Sequence, residues 1–425
     1  MSLNIFLNKK ILIYGLGKTG LATFNFLKKK SNVFLFDDFK KSNKKSINFK
    51  LIQRSKFDYI IISPGINIDK CKLSKFLKNN LKKIYTDLDI FYSFYKNDCI
   101  TITGTNGKST TCQLLYDVLL KQKYDVRLVG NIGNPILSLN KIKSHTIFVV
   151  EASSYQLEYS RIFKSKYAAI LNITPDHIER HKTITRYISA KFKLLKNQDK
   201  QSICFLKEND YLIKKKLKTL KLNSKVTKVN ISKYKKFLNK IDNSYFLTET
   251  NKENLSFVLA ISNKLKLNKK LLFKTIQEFK GLKYRQQIVY KKSNLIIIND
   301  SKSTSFSSSI GILKSNPNIY WLLGGIYKKG DKFKLPKSYC SNIQAFIFGK
   351  KRNFFNNQLK SKINIENFDN LIDAFKRVLI LTKKNEFTKK IILFSPSAAS
   401  FDSFKNFEDR GVYFNKLVKR YLYGK

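Results

Sequence analysis

The sequence of 425 residues predicts an α/β protein with mostly parallel sheets. Short runs of β-branched and aromatic residues alternate with segments of helical period from one end of the chain to the other. Turns rich in Gly and Ser follow several of these runs directly, as expected where a parallel strand leads into a helix. The length allows two to four domains, each with a core of its own.

The alternating pattern divides into three blocks, which we interpret as three domains. They are an N-terminal Rossmann-like domain over 1–95, a central P-loop ATPase-like domain over 96–281 and a C-terminal Rossmann-like domain over 282–425. The predicted strands are 11–14, 33–36, 59–62, 147–150, 168–173, 295–298, 320–323, 345–348 and 391–394. A stretch rich in Lys and Asn, 214–243, carries too weak a pattern to assign.

The composition is ordinary for a globular protein except in its charge. The chain has 83 Lys and Arg against 29 Asp and Glu, a formal net charge of +54. Such an excess raises nucleic acid or an anionic membrane as partners. The positive charge is mostly Lys and is scattered along the chain, so we interpret it as solvated surface. We expect neither nucleic acid nor a membrane as a partner.

The cysteines and the apolar segments indicate the compartment. Cys71, Cys99, Cys112, Cys204 and Cys340 form no Cys-x-x-Cys pair and are odd in number. This argues against a disulfide framework or a zinc site. The N-terminal apolar segment is too short for a signal peptide, and no uncharged run reaches membrane-spanning length. We therefore expect a cytoplasmic protein.

Residues 101–111, Thr-Ile-Thr-Gly-Thr-Asn-Gly-Lys-Ser-Thr-Thr, have the local chemistry of a phosphate-binding loop. Gly104 and Gly107 let backbone N–H groups approach phosphate oxygens at the start of a helix. Lys108 can neutralise the β and γ oxygens, and the Ser109 hydroxyl can ligate Mg²⁺. The loop is shortened, because Ile102 stands where the usual loop has its first glycine. The segment predicts nucleoside-triphosphate chemistry.

Two further runs of the central block end in side chains that suit a metal site. Glu151 follows the run 147–150, and a carboxylate at the carboxyl end of a strand beside a phosphate loop is where Mg²⁺ is normally held. The alternative is a Glu that caps the following helix. His177 and His181 follow the next run, and we expect one of the two to be functional.

The outer blocks carry turns that suit anionic ligands. In the first block, Gly-x-Gly-x-x-Gly at 15–20 is followed by Asp37 and Asp38, as in a Rossmann turn. The turn is compatible with NAD and equally with a nucleotide-sugar diphosphate, and the triphosphate loop downstream favours the second. In the third block, the loops 299–304, 324–328 and 395–400 should lie on one edge of a parallel sheet. Their hydroxyls and lysines suit a small carboxylated molecule.

These segments together resemble the Mur ligases of peptidoglycan synthesis, through 104–109, 151–157 and 172–177. The opening 15–20 and the late 395–411 resemble the family member that adds D-glutamate to UDP-N-acetylmuramoyl-L-alanine. The resemblance covers essentially the whole chain. It implies an ATP-dependent ligase that forms an amide through an acyl phosphate, with two Mg²⁺ ions and those two small molecules as substrates. We expect a monomer.

The resemblance further implies roles for individual residues. ATP would contact Gly104, Thr105, Asn106, Gly107, Lys108, Ser109, Thr110, Asn251, Arg285 and Asp300. The catalytic residues would be Lys108, Glu151, His177 and Lys191, and the metal ligands Ser109, Glu151, His177 and Lys191, the last as a carbamate. The UDP-sugar would contact Thr19, Asp37, Ser63, Gly65 and Asn131, and D-glutamate would contact Lys302, Thr304, Lys328, Ser400 and Phe407. The sequence context of Lys191 by itself indicates only a solvated helix lysine.

Two positions depart from the family pattern. Thr250 stands where His is expected in His-Asn-x-x-Asn, and Tyr284 stands where His is common. We expect these departures to affect nucleotide affinity more than the reaction.

Two other functions stay open. One is a different amide ligase of the same superfamily, such as a folylpolyglutamate synthetase or a Mur ligase with another amino acid. The other is a basic, non-catalytic nucleotide- or nucleic-acid-binding protein.

Overall fold

The computed structural model describes residues 4–39, 46–314, 318–328, 330–383 and 389–424. Its strands form three separate sheets of four, six and six strands, which confirms the α/β class. The residues group into two compact units, Met1–Lys233 with Ser256–Leu272, and Tyr234–Leu255 with Phe273–Lys425. The first two sheets lie in the first unit and the third sheet lies in the second. The three domain boundaries stay a prediction.

The first sheet is parallel throughout. Its elements are β1 (Lys10–Tyr14), α1 (Lys18–Leu27), β2 (Asn32–Phe36), α2 (Phe49–Arg54), β3 (Tyr59–Ile62), α3 (Ser74–Asn79), β4 (Ile84–Tyr85) and α4 (Asp87–Phe94). The strand order is β2-β1-β3-β4. The turn from β1 to α1 requires glycine, since a Cβ at Gly20 would lie 1.8 Å from the carbonyl oxygen of Gly15.

The second sheet is also parallel, in the order β10-β9-β8-β5-β7-β6. Its elements are β5 (Cys99–Thr103), α5 (Lys108–Lys121), β6 (Val126–Gly130), β7 (Ile147–Glu151), α6 (Ser154–Glu158), β8 (Tyr167–Ile170), α7 (Ile178–His181), α8 (Ile184–Lys196), β9 (Ile203–Lys207), α9 (Tyr211–Leu217) and β10 (Lys225–Val229). Three helices follow, α10 (Lys235–Leu238), α11 (Glu249–Lys264) and α12 (Lys269–Glu278).

The predicted strand over 168–173 is wrong at its carboxyl end, because β8 ends at Ile170. The Leu171 N–H still donates to the carbonyl of Thr103 in β5, but the backbone of Asn172 and Ile173 bonds to loops. The Asn172 carbonyl accepts from the Thr105 N–H at 3.0 Å, and the Ile173 N–H donates to Asp210 Oδ2 at 2.8 Å. This early end brings the polar segment after β8 against the phosphate loop.

The third sheet is mixed. Its elements are β11 (Gln287–Lys292), β12 (Leu295–Asn299), α13 (Phe306–Lys314), β13 (Ile319–Gly324), β14 (Ile343–Phe348), α14 (Arg352–Leu359), β15 (Asn364–Phe368), α15 (Leu371–Lys383), β16 (Lys390–Phe394) and α16 (Phe407–Leu422). The order is β11-β12-β16-β13-β14-β15, and only the β11–β12 pair is antiparallel. Because β12, β16 and β13 are parallel neighbours, the three predicted ligand loops share one sheet edge, as expected.

Two observations concern the sequence-based expectations on cysteine and membrane. All five cysteines are free thiols, and four of them are buried. Across the described ranges, we find no helix with both the length and the apolar character needed to cross a bilayer.

Candidate active site

The phosphate loop joins β5 to α5. Gly107 precedes the helix in the left-handed conformation with φ +84°, and Gly104 has φ +155°. A Cβ at Gly104 would lie 3.1 Å from the Cβ of Leu171, so the loop packs closely on the segment after β8. Lys108 Nζ donates to the carbonyl oxygens of Gly104 and Thr105, each at 2.9 Å. The Lys108 ammonium is therefore held against the loop at which it is predicted to neutralise phosphate oxygens.

Two residues missing from the predicted site fix this loop. Asn172 Oδ1 accepts from the Asn106 N–H at 2.9 Å, and its Nδ2 donates to the Asn106 carbonyl at 3.2 Å. The Tyr187 hydroxyl lies 3.0 Å from Thr105 Oγ1. Asn172 stands in 172–177, one of the segments that carry the family resemblance, so a reading of the whole motif could have found it. Tyr187 stands outside those segments, and only the tertiary structure brings it to the loop.

Glu151 is the centre of the predicted metal site, and it is buried. Its Oε2 accepts from Ser109 Oγ at 2.7 Å, and its Oε1 accepts from Asn131 Nδ2 at 2.7 Å. The alternative role as a helix cap is not supported, since Ser153 caps α6 by accepting from the Gln156 N–H at 3.3 Å. The structure thus brings Ser109 and Glu151 together as the metal prediction requires.

Lys191 is fully buried on α8, so its interpretation as a solvated helix lysine is wrong. Its Nζ donates to the Gly104 carbonyl at 2.8 Å and lies 4.6 Å from the centre of the Tyr187 ring. Burial holds the pKa of Lys191 well below its usual value, and the positive charge of Lys108 lowers that pKa further. Both effects favour the neutral amine.

The two histidines after β8 differ sharply. The His177 side chain is 36% exposed, its Nδ1 lies 2.9 Å from the Tyr155 hydroxyl, and its backbone has φ +55°. His181 is buried, and its Nε2 lies 3.0 Å from Ser154 Oγ. Burial lowers the pKa of His181 to about 4. His177 is therefore the member of the pair that a ligand can reach, and His181 belongs to the packing beneath it.

The donor atoms fit Mg²⁺ bound together with a nucleotide. Within the described residues, no three His, Cys, Asp or Glu side chains converge into a metal site of their own. Mg²⁺ is usually held by one or two carboxylates and completed by phosphate oxygens and water. Ser109 and Glu151 provide two such oxygen donors beside the phosphate loop.

A cavity of about 690 Å³ lies beside this site in the first unit. All five residues predicted to contact the UDP-sugar line it, namely Thr19, Asp37, Ser63, Gly65 and Asn131. Lys18 and Lys70, which the sequence reasoning missed, also line it and supply positive charge. Asn131 lines the cavity and also bonds Glu151, so one side chain connects the cavity wall to the carboxylate of the predicted metal site.

Two of the predicted ATP residues of the second unit, Asn251 and Asp300, belong to one polar network. Asn251 Nδ2 donates to Gln286 Oε1 at 3.1 Å, and the Gln286 N–H donates to Asp300 Oδ1 at 3.1 Å. Ser395 Oγ donates to Asp300 Oδ2 at 2.9 Å. Burial raises the pKa of Asp300 to about 7, while the charge of Arg285 opposes that rise. Gln286, which links the network, was not predicted.

Four of the five predicted D-glutamate residues lie on the loops after β12, β13 and β16, and the fifth, Phe407, begins α16. Lys302 Nζ is 3.8 Å from the centre of the Phe407 ring. The Ile326 N–H donates to the Ala399 carbonyl at 3.0 Å, and the Ala399 N–H donates back at 2.8 Å. The other three predicted residues belong to these loops, Thr304 and Lys328 half-buried and Ser400 buried. The structure therefore gathers all three loops.

Each of the two residues that depart from the family pattern packs against a glycine. A Cβ at Gly311 would lie 1.8 Å from Thr250 Oγ1, and a Cβ at Gly411 would lie 2.3 Å from the Tyr284 ring. Thr250 and Tyr284 are therefore packed residues within the second unit.

The fold and these sites define an α/β protein of the P-loop nucleotide-binding class. The Mur ligase middle domain family matches residues 102–272. The UDP-N-acetylmuramoylalanine–D-glutamate ligase of Rickettsia felis is 33% identical over 99% of both chains. The enzyme of the same name from Buchnera aphidicola subsp. Schizaphis graminum is 36% identical, again over 99% of both chains. The chain belongs to the Mur ligase family, and both of these full-length relatives are UDP-N-acetylmuramoylalanine–D-glutamate ligases.

Solved structures of the family show the same fold. The MurF ligase from Thermotoga maritima, determined in complex with ADP, aligns over 97% of this chain and 96% of its own, with a TM-score of 0.55 and 15% identity. A pseudomurein peptide ligase type C from Methanothermus fervidus aligns over 97% and 100%, with a TM-score of 0.56 and 16% identity.

Proposed function

We infer that this chain is an ATP-dependent ligase that adds D-glutamate to UDP-N-acetylmuramoyl-L-alanine in peptidoglycan precursor synthesis. The observation that carries the inference is the match to ligases of that name along nearly the whole chain, at 33–36% identity. The contact of Ser109 and Asn131 with Glu151 supports it, because that contact joins a phosphate loop to the nucleotide-sugar cavity.

The reaction needs activation of a carboxylate, whose negative charge repels a nucleophile. The γ-phosphoryl group passes from ATP to an oxygen of the alanyl carboxylate, and ADP leaves. The amine nitrogen of D-glutamate then attacks the acyl carbon, loses a proton, and displaces inorganic phosphate with the electrons of the broken C–O bond. Such chemistry depends on positioning and charge neutralisation.

The phosphate loop supplies both. The N–H groups at the start of α5 and the Lys108 ammonium would bind the β and γ phosphates. Ser109 and Glu151 would hold one Mg²⁺, and His177 would help to hold a second. When bound, Mg²⁺ neutralises charge on the phosphoryl oxygens. The carbonyl of Gly104, which accepts from both Lys108 and Lys191, keeps the two amines close together.

A carbamate on Lys191 would resolve the crowding of these two amines. A neutral amine attacks CO₂, loses a proton and becomes an anion, so repulsion from Lys108 would turn into attraction. The burial of Lys191 and its lowered pKa favour the neutral, reactive form. The carbamate would then provide an anionic metal ligand.

The remaining assignments belong to the same proposal. The cavity residues Thr19, Asp37, Ser63, Gly65 and Asn131 would bind the UDP-sugar. The residues Asn251, Arg285 and Asp300 would contact ATP, and Lys302, Thr304, Lys328, Ser400 and Phe407 would bind D-glutamate. We further propose a cytoplasmic monomer with domains over 1–95, 96–281 and 282–425.

Phosphate release tests the function. The full chain is supplied with ATP, Mg²⁺ and UDP-N-acetylmuramoyl-L-alanine, with D-glutamate, L-glutamate or no amino acid. We expect continuous release only with D-glutamate, and a loss of about 10²–10³-fold or more in Lys108→Ala. Equal release with L-glutamate or another amino acid would favour a different amide ligase. No release with any acceptor, together with salt-sensitive binding to nucleic acid, would favour the non-catalytic alternative.

A further inference from the structure

Arg410, on the first turn of α16, is a buried cation to which the proposed function assigns no role. Its side chain is only 1% exposed. Nε donates to Ser301 Oγ at 3.1 Å, and Nη2 donates to the carbonyl oxygens of Ser301 and Ala398 at 2.7 and 2.9 Å. One guanidinium therefore joins the loop after β12 to the loop after β16.

The third ligand loop reaches the same group. Gly325, in the loop after β13, has φ +123°, and a Cβ there would lie 2.5 Å from the Ala399 carbonyl oxygen and 3.4 Å from Arg410 Nη1. Among the residues that the structure describes, Nη1 is buried without a hydrogen-bond partner. The loops that carry Lys302, Lys328 and Ser400 thus close around a single guanidinium.

The charge of Arg410 lacks a direct counterion within the described ranges. No carboxylate there forms an ion pair with it, and Asp402 and Asp300 act on it only through their fields. Burial lowers the pKa of Arg410 to about 10, so the group is still cationic at neutral pH. A buried charge without a partner is costly unless negative charge approaches it. A dicarboxylic amino acid held by the three loops brings that charge.

We propose that Arg410 is a positioning residue of the amino-acid pocket, which clamps the loops after β12 and β16 and favours an acceptor with a second carboxylate. It acts through Ser301, Ala398 and its electrostatic field, and it does not touch the substrate. This inference rests on the proposed function.

The test compares Arg410→Met and Arg410→Lys with wild-type full-length protein. Arg377→Met is the matched control, because Arg377 lies on α15 of the same unit and pairs at 2.8 Å with Glu366 of the edge strand β15. For each variant, KM for D-glutamate, KM for ATP, kcat and the unfolding midpoint are measured, together with the ratio of rates with D-glutamate and D-glutamine.

In Arg410→Met we expect KM for D-glutamate to rise about ten- to a hundredfold while KM for ATP stays within about twofold. The preference for D-glutamate over D-glutamine should fall as well, because the positive charge is gone. Arg410→Lys keeps the charge but loses the two-loop bridge, so KM should rise by a smaller factor and the preference should persist. Arg377→Met should leave KM for D-glutamate and the preference for D-glutamate over D-glutamine at the wild-type values.

The proposal is overturned if a folded Arg410 variant keeps the wild-type KM for D-glutamate, or if both KM values rise by the same factor. If Arg410→Met does not fold, Arg410→Lys decides by the same criteria. A wild-type protein without D-glutamate-dependent phosphate release would instead refute the proposed function, whatever the variants do.

Discussion

At the scale of single residues, two histidines close together along the chain differ in burial, one being partly exposed and the other buried. His177 and His181 are four positions apart, and the ring of Tyr155 contacts both, with ring centres 4.9 and 5.7 Å away. The left-handed backbone at His177 turns that residue outward, while the helical turn that follows buries His181. A strained conformation in a residue other than glycine is typical of functional sites.

The buried His181 predicts a pH dependence of stability. Its pKa is about 4 in the folded chain and about 6.5 when unfolded, so the unfolded state binds the extra proton between these values. We expect up to about 3 kcal/mol of folding free energy to be lost as the pH falls from 6.5 towards 4. The free energy of unfolding, measured by denaturant titration at several pH values in that range, should depend less on pH in His181→Gln than in wild type.

His145, which is exposed, supplies the control for this experiment. His145→Gln should keep the wild-type dependence on pH. If the free energy of unfolding of His181→Gln depends on pH as strongly as that of wild type, the buried His181 ring is not the cause of the effect.

Lys191 predicts a covalent modification that can be observed directly. With ¹³C-labelled bicarbonate, the protein should show a carbamate resonance in ¹³C NMR, because a buried neutral amine is free to attack CO₂. Lys191→Arg should lack the signal, since a guanidinium remains protonated. A wild-type spectrum without any protein carbamate would contradict the proposal.

At the scale of elements, the phosphate loop depends on the exact end of β8. Since that strand ends at Ile170, the Asn172 carbonyl accepts from the Thr105 N–H, and its side-chain Oδ1 accepts from the Asn106 N–H. The close approach leaves little room for a side chain at Gly104, where a Cβ would lie 3.1 Å from the Cβ of Leu171. Strand length and loop geometry are thus coupled.

Gly104→Ala tests this coupling. Its backbone has φ +155°, which an L-residue with a side chain adopts only under strain, so we expect a loss of about 1–3 kcal/mol in the free energy of unfolding. KM for ATP should rise, because the loop must shift. Denaturant unfolding and steady-state kinetics measure the two effects.

Gly65→Ala is the matched stability control, since a Cβ at Gly65 meets no atom within 4 Å. Its free energy of unfolding should stay within about 0.5 kcal/mol of wild type. Equal losses in the two variants would show that the loop geometry is not the cause.

At the scale of the whole molecule, the net charge of +54 is the dominant physical feature. Like charges at this density repel one another and oppose the compact state. The lysines are distributed over both compact units, and the 83 basic residues far outnumber the 29 acidic residues that could balance them. The net charge therefore lowers the stability of the compact state.

Salt should consequently stabilise this protein. Raising NaCl from about 0.05 to about 0.5 M shortens the screening length to a few ångströms and weakens the repulsion. We expect the thermal unfolding midpoint to rise over this range, as followed by circular dichroism. A midpoint that falls would mean that attractive ion pairs outweigh the repulsion.

The α/β class, the strand Tyr59–Ile62 and the helix start at Lys108 and Ser109 could all be predicted, because each depends on residues close together along the chain. The burial of Lys191, the bond from Asn131 to Glu151 and the bridge made by Arg410 could not, because distant segments create them. The amino-acid sequence thus determined which reactive groups the protein has and the turns on which they lie. Only tertiary packing decided which of those groups lose their solvent, and desolvation is what changes their charge state and their partners.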